Sequence, residues 1–98
     1  MIRGTTPTLK FTLPFEASKI EKLYITIEQS DVTINKEMQD CVLSENIIET
    51  TLTQEETLSL KDSYTTKMQL KVKTNDGKVL ASQIFDLKVE DVLYDGIL

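Results

Sequence analysis

Few residues in this chain could carry chemistry, and each has a simpler structural reading. Cys41 is the one thiol, and there is no histidine to activate it. A thiolate nucleophile needs a base or a cluster of cations to lower its pKa, and none adjoins Cys41. Cys41 therefore reads as a small buried apolar residue beside Val42 and Leu43, a part that free cysteine commonly plays. With histidine missing, the commonest general acid–base and metal-ligating side chain is missing too. Glu90, Asp91 and Asp95 could offer oxygens to calcium, which takes several such ligands. Their spacing does not match the known calcium loop, so they read as a solvated acidic tail, and no metal or other cofactor is expected. Lys67, Lys71 and Lys73, with Lys78 across a turn, could present a positive strip to an acidic partner. A solubilising strand face that blocks edge-to-edge pairing is the simpler account. Catalysis by carboxylates or lysines would need them to converge in a cleft with perturbed pKa values. Nothing in the sequence places such groups together, and the chain is not expected to be an enzyme.

Charge narrows the partners. The 98 residues carry 16 acidic and 11 basic side chains, a formal net charge of −5. Nucleic-acid binding draws most of its affinity from lysine and arginine replacing counterions on phosphate. The basic residues here are scattered lysines plus a single arginine, Arg3, so nucleic acid is not an expected partner. No apolar run approaches the roughly 20 residues that span a bilayer, and the opening Met1 to Pro7 lacks the apolar stretch of a secretory signal. Synthesis in the cytoplasm is expected, with no membrane partner. The lone Cys41 cannot form an internal disulfide.

The elements that must position these groups are strands. Period-two alternation dominates, the mark of half-buried strands. Thr8 to Leu13 puts Leu9, Phe11 and Leu13 on one face and is stopped by Pro14, which cannot donate to a ladder. Phe15 to Glu21 reads as a connection with one helical turn, tucking Phe15 and Ile20 under the sheet edge. Lys22 to Gln29 alternates Leu23, Ile25 and Ile27 against Tyr24, Thr26 and Glu28. Ser30-Asp31 suits a turn, and Val32-Thr33-Ile34 a short strand. Lys36 to Asp40 is polar and reads as exposed strand or loop. Cys41 to Leu43 is a short apolar run. Ile47 to Leu52 is strand-like by its β-branched content, with Ile48, Thr50 and Leu52 expected inward.

Thr53-Gln54-Glu55-Glu56 is a capping box: Thr53 accepts from the N–H of Glu56, and the Glu56 carboxylate reaches back to the N–H of Thr53. A single helical turn should start there and let Leu58 and Leu60 bury. Tyr64 to Thr74 is a long strand with Thr66, Met68, Leu70 and Val72 on one face. Asn75-Asp76-Gly77 is a hairpin turn whose Asp-Gly pair supplies positive φ angles. Lys78 to Val89 returns, with Val79, Ala81, Phe85 and Leu87 on one side and Leu80 and Ile84 on the other, as if part of it were buried on both faces.

About seven short strands between frequent turn signals predict an all-β, immunoglobulin-like antiparallel β-sandwich with one short helical turn. A size of 98 residues fits a single domain over residues 1–98. The capped turn before the penultimate strand matches the corner that crosses between sheets. The cysteine pair and core tryptophan of antibody domains are absent, so the likeness is one of architecture.

Ile2-Arg3-Gly4-Thr5-Thr6-Pro7-Thr8-Leu9-Lys10-Phe11-Thr12-Leu13-Pro14-Phe15 resembles the opening of a family of small proteins encoded in phages and prophages of Gram-positive bacteria. Leu52 to Thr57 and Ala81-Ser82-Gln83-Ile84, followed by an apolar strand and an acidic ending, are similar as well. The resemblance implies a setting in the tail or another part of the virion. It carries no mechanism and no site residues.

Val92, Leu93, Tyr94, Ile97 and Leu98 are the candidate interface. Large apolar residues after a complete sandwich need cover. Either they fold back over one end of the sheets or they dock on another subunit, and the sequence leaves both open. The expected function is that of a non-enzymatic structural or interaction protein, an accessory part of a phage or prophage particle of tail or baseplate type. Its partners would be other virion proteins or further copies of itself in a homo-oligomer. The alternative is a ligand- or carbohydrate-binding sandwich module, which surface clustering of Tyr24, Tyr64 and Tyr94 would favour.

Overall fold

Alternating side chains leave one face of each strand dry, and two such sheets close on each other. The computed structural model describes residues 1–98. In chain order the elements are β1 (Thr8–Thr12), a 3₁₀ turn (Ala17–Lys19), β2 (Ile20–Gln29), β3 (Val32–Glu37), a second 3₁₀ turn (Met38–Asp40), β4 (Cys41–Ser44) and β5 (Ile47–Thr51). The helical turn α1 (Gln54–Leu58), then β6 (Thr66–Thr74), β7 (Val79–Ala81) and β8 (Phe85–Leu87) complete the chain. One sheet is β1-β5-β4; the other is β3-β2-β6-β7, with β8 also on β6. All strand pairs are antiparallel.

This is an immunoglobulin-like sandwich. β1, β5 and β4 stand as strands B, E and D, and β3, β2, β6 and β7–β8 as C′, C, F and G. The strand that lies beside B in immunoglobulin domains is missing. Instead, Ile2 makes a parallel bridge to Glu90 of the other sheet's end.

The dry face follows the alternation closely. Leu23, Ile25 and Ile27 of β2 are buried, as are Ile48 and Thr50 of β5 and Leu52 beyond it. One part of the core gathers Phe11, Leu13, Ile20, Leu23, Ile25, Ile48, Leu70 and Val72. The other gathers Ile27, Ile34, Leu52, Leu60 and Val89. Each full burial of such a side chain contributes roughly 1.5–3 kcal/mol.

The capping box forms as expected. Glu56 N donates to Thr53 Oγ1 at 3.1 Å and Thr53 N to Glu56 Oε1 at 2.8 Å. Leu60 is buried, but Thr57, not Leu58, is the fully buried residue of the turn itself. Its hydroxyl donates to Thr5 O. The N-terminal segment is held by Arg3, whose Nε donates to Leu60 O at 2.6 Å and Nη2 to Leu58 O at 3.0 Å. Gly4 between them takes φ +75°, a conformation that side chains disfavour.

The structure corrects several expectations. β2 already includes Ile20 and Glu21, which the sequence pattern assigns to the connection, and β6 starts at Thr66, not Tyr64. Lys36 is neither exposed strand nor loop. It lies in β3 and is buried, because β3 continues to Glu37 and position 36 shares the inward phase of Ile34. The turn after β6 needs only one positive φ, at Gly77 (+87°), because Thr74 N bonds Lys78 O around a three-residue loop.

The return strand is the largest correction. Lys71 faces Ala81 and Met68 faces Phe85, so two residues of β6 oppose Ser82, Gln83 and Ile84. That extra residue is a bulge. Ser82 anchors it, since its N–H donates to Leu70 O and its Oγ accepts from Leu70 N. A one-residue bulge reverses the inward phase. Leu80 therefore shares the phase of Val72, and Phe85 and Leu87 share that of Met68 and Thr66. Val79 and Ala81 point outward, and Leu80 and Ile84 are exposed rather than buried on both faces.

Candidate functional site

The groups with possible chemistry are dispersed. Cys41 is half-buried at the start of β4, with its Sγ donating to Glu37 O at 3.2 Å. Burial is the largest influence and pushes its thiol up; the Thr50 hydroxyl opposes this, the nearby Asp40 carboxylate adds to it, and Lys36 opposes it least. A raised pKa keeps the thiol protonated at neutral pH. Iodoacetamide should therefore alkylate Cys41 more slowly at pH 8.5 than it does a free cysteine in the unfolded chain. A rate equal to that of the urea-unfolded protein would contradict this placement.

Glu90, Asp91 and Asp95 do not gather into a metal-binding group. Asp91 instead accepts from Arg3 Nη1 at 3.0 Å and from Val92 N at 2.8 Å. The Val92 N–H and the Arg3 guanidinium hold its carboxyl below the ordinary value. Of the lysine strip, Lys67 pairs with Asp86 at 3.1 Å, and Lys71 and Lys73 stand exposed on the outer face of β6. The tyrosines stay apart. Tyr24 faces Lys71 in the middle of β6, whereas Tyr64 lies in the loop before β6 begins at Thr66. Tyr94 lies in the tail.

Several concave surfaces remain. One, of about 720 Å³, is a wide dish between the first 3₁₀ turn and the β4–β5 hairpin, with Glu16, Met38, Leu43 and Glu45 on its walls. No buried side-chain polar atom in the protein lacks a partner, so nothing unpaired points into the dish.

Another is the seam between the sheets, left open where the strand beside B is missing. It is a groove of about 320 Å³ lined by Phe11, Leu13, Phe15, Leu80 and Phe85, with Lys10 at its margin. Phe11 and Phe85 meet across its floor with ring centroids 6.4 Å apart. At Phe15 and Leu80 it continues into a further hollow of about 430 Å³ bearing Lys19 and Lys78. β1 pairs only with β5, and β7 and β8 only with β6. Both walls are therefore free strand edges, which are templates for a further strand. The bulge at Ser82 shapes this groove, because it leaves Leu80 44% exposed at the rim while Phe85 packs on the core.

The candidate interface residues lie elsewhere. Val92 is half-buried near Gly4, and the chain end is tied to α1, with Leu98 N donating to Gln54 Oε1 at 2.9 Å. The backbone thus folds back along α1, yet Leu93, Tyr94, Ile97 and Leu98 stay exposed, Leu93 and Leu98 almost wholly. The groove residues were not gathered by sequence reasoning. Their signal was the out-of-phase pair Leu80 and Ile84, which only the bulge explains. Comparison with protein-family models, with curated proteins and with solved structures finds no match for this chain.

Proposed function

We propose that this protein is a non-catalytic interaction module, an accessory component of a phage or prophage particle. The observation that carries the reading is a pair of unsatisfied apolar surfaces on one small domain, the open seam and the exposed tail. Exposed apolar patches of this kind mark protein contacts. The seam also offers free strand edges, which bind other chains through main-chain hydrogen bonds. The resemblance of the opening Ile2 to Phe15 to phage-encoded proteins supplies the setting. Partners on this reading are virion proteins, copies of this chain included.

The test is direct. Particles purified from lysates of a host carrying the gene should contain the chain at stoichiometric level by quantitative mass spectrometry. Its presence in the lysate but absence from washed particles would overturn the assignment to the particle.

A further inference from the structure

The seam is apolar with a basic margin. Phe11, Leu13, Phe15, Leu80 and Phe85 line it, and Lys10, Lys19 and Lys78 stand on its rims. Two acids stand beside them: Asp76, which is engaged by the Thr74 hydroxyl and lies 4.0 Å from Lys78, and Glu49, which faces Lys10 in register across β1 and β5. The tail is its complement. Leu93, Tyr94, Ile97 and Leu98 are exposed apolar groups, and Asp95 among them has no ion-pair partner.

The two surfaces do not meet within one chain. β6 runs from Thr66, opposite Leu87, to Thr74 at the far hairpin. The groove lies towards the Thr74 end, where Leu80 and Phe15 also line the hollow beside Asn75. After β8 the chain leaves in the opposite direction. Glu90 is clamped by Met1 and Arg3 through backbone bonds of 2.8 and 2.9 Å, and Leu98 is held on Gln54. In a molecule 46 Å long, groove and tail thus face different neighbours.

We infer that the exposed segment Leu93–Leu98 of one copy docks in the seam beside β1 of a second copy, with its apolar side chains on Phe15, Leu80 and Phe85 and Asp95 towards the lysines at the rim. Docking releases the Leu98 backbone from Gln54, and the segment takes the place left by the strand missing beside β1, adding main-chain bonds to an open edge. Such a contact joins unlike surfaces. It propagates head to tail, into a ring or an open filament. This deepens the reading of the protein as an interaction module by naming a partner, and it can fail while the particle assignment stands.

The experiment uses the whole chain and two exposed positions whose change should spare the core, Leu80→Asp in the seam and Leu93→Asp in the tail. Thermal unfolding first establishes that both variants fold. Light scattering across a concentration series should show wild-type mass rising above the 11.1 kDa of one chain. Each variant alone should associate at least about tenfold more weakly, because each replaces an apolar contact by a charged group that must be stripped of water. An equimolar mixture should regain association but stop at a dimer. The intact tail of Leu80→Asp fits the intact seam of Leu93→Asp, and both remaining surfaces are blocked. A wild type that stays monomeric to millimolar concentration overturns the inference. So does a mixture that stays monomeric, or a wild-type oligomer that either variant leaves intact. The mass spectrometry of purified particles decides the particle assignment independently of these results.

Discussion

Gln29→Leu is expected to lower stability by about 3 kcal/mol, although leucine matches the size and the buried setting. Gln29 ends β2 and is 2% exposed. Its Nε2 donates to Lys61 O and to Thr66 Oγ1, both at 2.7 Å, and its Oε1 accepts from Lys61 N at 2.7 Å. One amide thus satisfies the loop between α1 and β6 and the first residue of β6. Leucine would leave the Lys61 N–H and C=O without partners and Thr66 Oγ1 with only its long bond to Tyr64 O, and an unsatisfied buried polar group costs about 1–3 kcal/mol. In a domain of this size each 1 kcal/mol shifts the melting temperature by roughly 4–8 °C. Calorimetry of the two proteins at pH 7 checks this. Equal melting temperatures would show that water replaces the amide without loss. Gln29→Glu should also destabilise, since a carboxylate keeps the acceptor for Lys61 N but loses both donors.

The second large effect concerns Lys36 and Glu56. Lys36 Nζ lies 2.7 Å from Glu56 Oε1, with the lysine side chain only 11% exposed. An inward-pointing lysine on the edge strand β3 also discourages pairing with another edge. Glu56→Gln is expected to cost about 2–3 kcal/mol, less than the roughly 3–5 kcal/mol for breaking a fully buried pair, because Glu56 stays partly solvated. Glutamine can still accept from Thr53 N, so the cap survives and the loss reports the stranded lysine charge. Adding Lys36→Met should recover most of it, because the double variant leaves no uncompensated charge. Urea titration of the two single variants and the double variant separates these contributions. A double variant no more stable than Glu56→Gln would show that the pair is not the source.

The same pair predicts a pH dependence. Burial pushes the Glu56 carboxyl up, but the Lys36 ammonium and the Thr53 N–H and hydroxyl outweigh it and hold the carboxyl below its ordinary value. Glu56 therefore stays ionised in the fold at a pH where the unfolded chain already binds a proton. Its contribution is complete above the ordinary carboxylate range, about 4.3 for glutamate. It is lost as pH falls through the unfolded value and then the lower folded one. Glu56→Gln should flatten the fall in stability over that window and leave the slope above pH 6 unchanged. An identical acid slope in both proteins would contradict the assignment.

Features that depend on near neighbours in the chain are legible in the order of the residues alone. Alternation decided that Leu23, Ile25 and Ile27 face one way, because successive side chains in a strand must point to opposite faces. β-Branched Ile48 and Thr50, followed by Leu52, gave the buried phase of β5. The capping box at Thr53 and the turn at Gly77 were legible because each satisfies its own backbone within four residues. Tertiary structure decided the rest, where a residue's role depends on a strand distant in sequence. Lys36 reads as polar and exposed until Glu56, twenty positions later, supplies its counter-charge inside. Gln29 reads as a strand end until the Lys61 loop closes on it. The bulge at Ser82 exists only against Leu70, and it reverses a phase that pattern alone would continue. The open seam follows from which strand is missing beside β1, a property of sheet pairing that alternation does not encode. The tail's exposure follows in the same way, since none of Leu93, Tyr94, Ile97 and Leu98 packs against either part of the core.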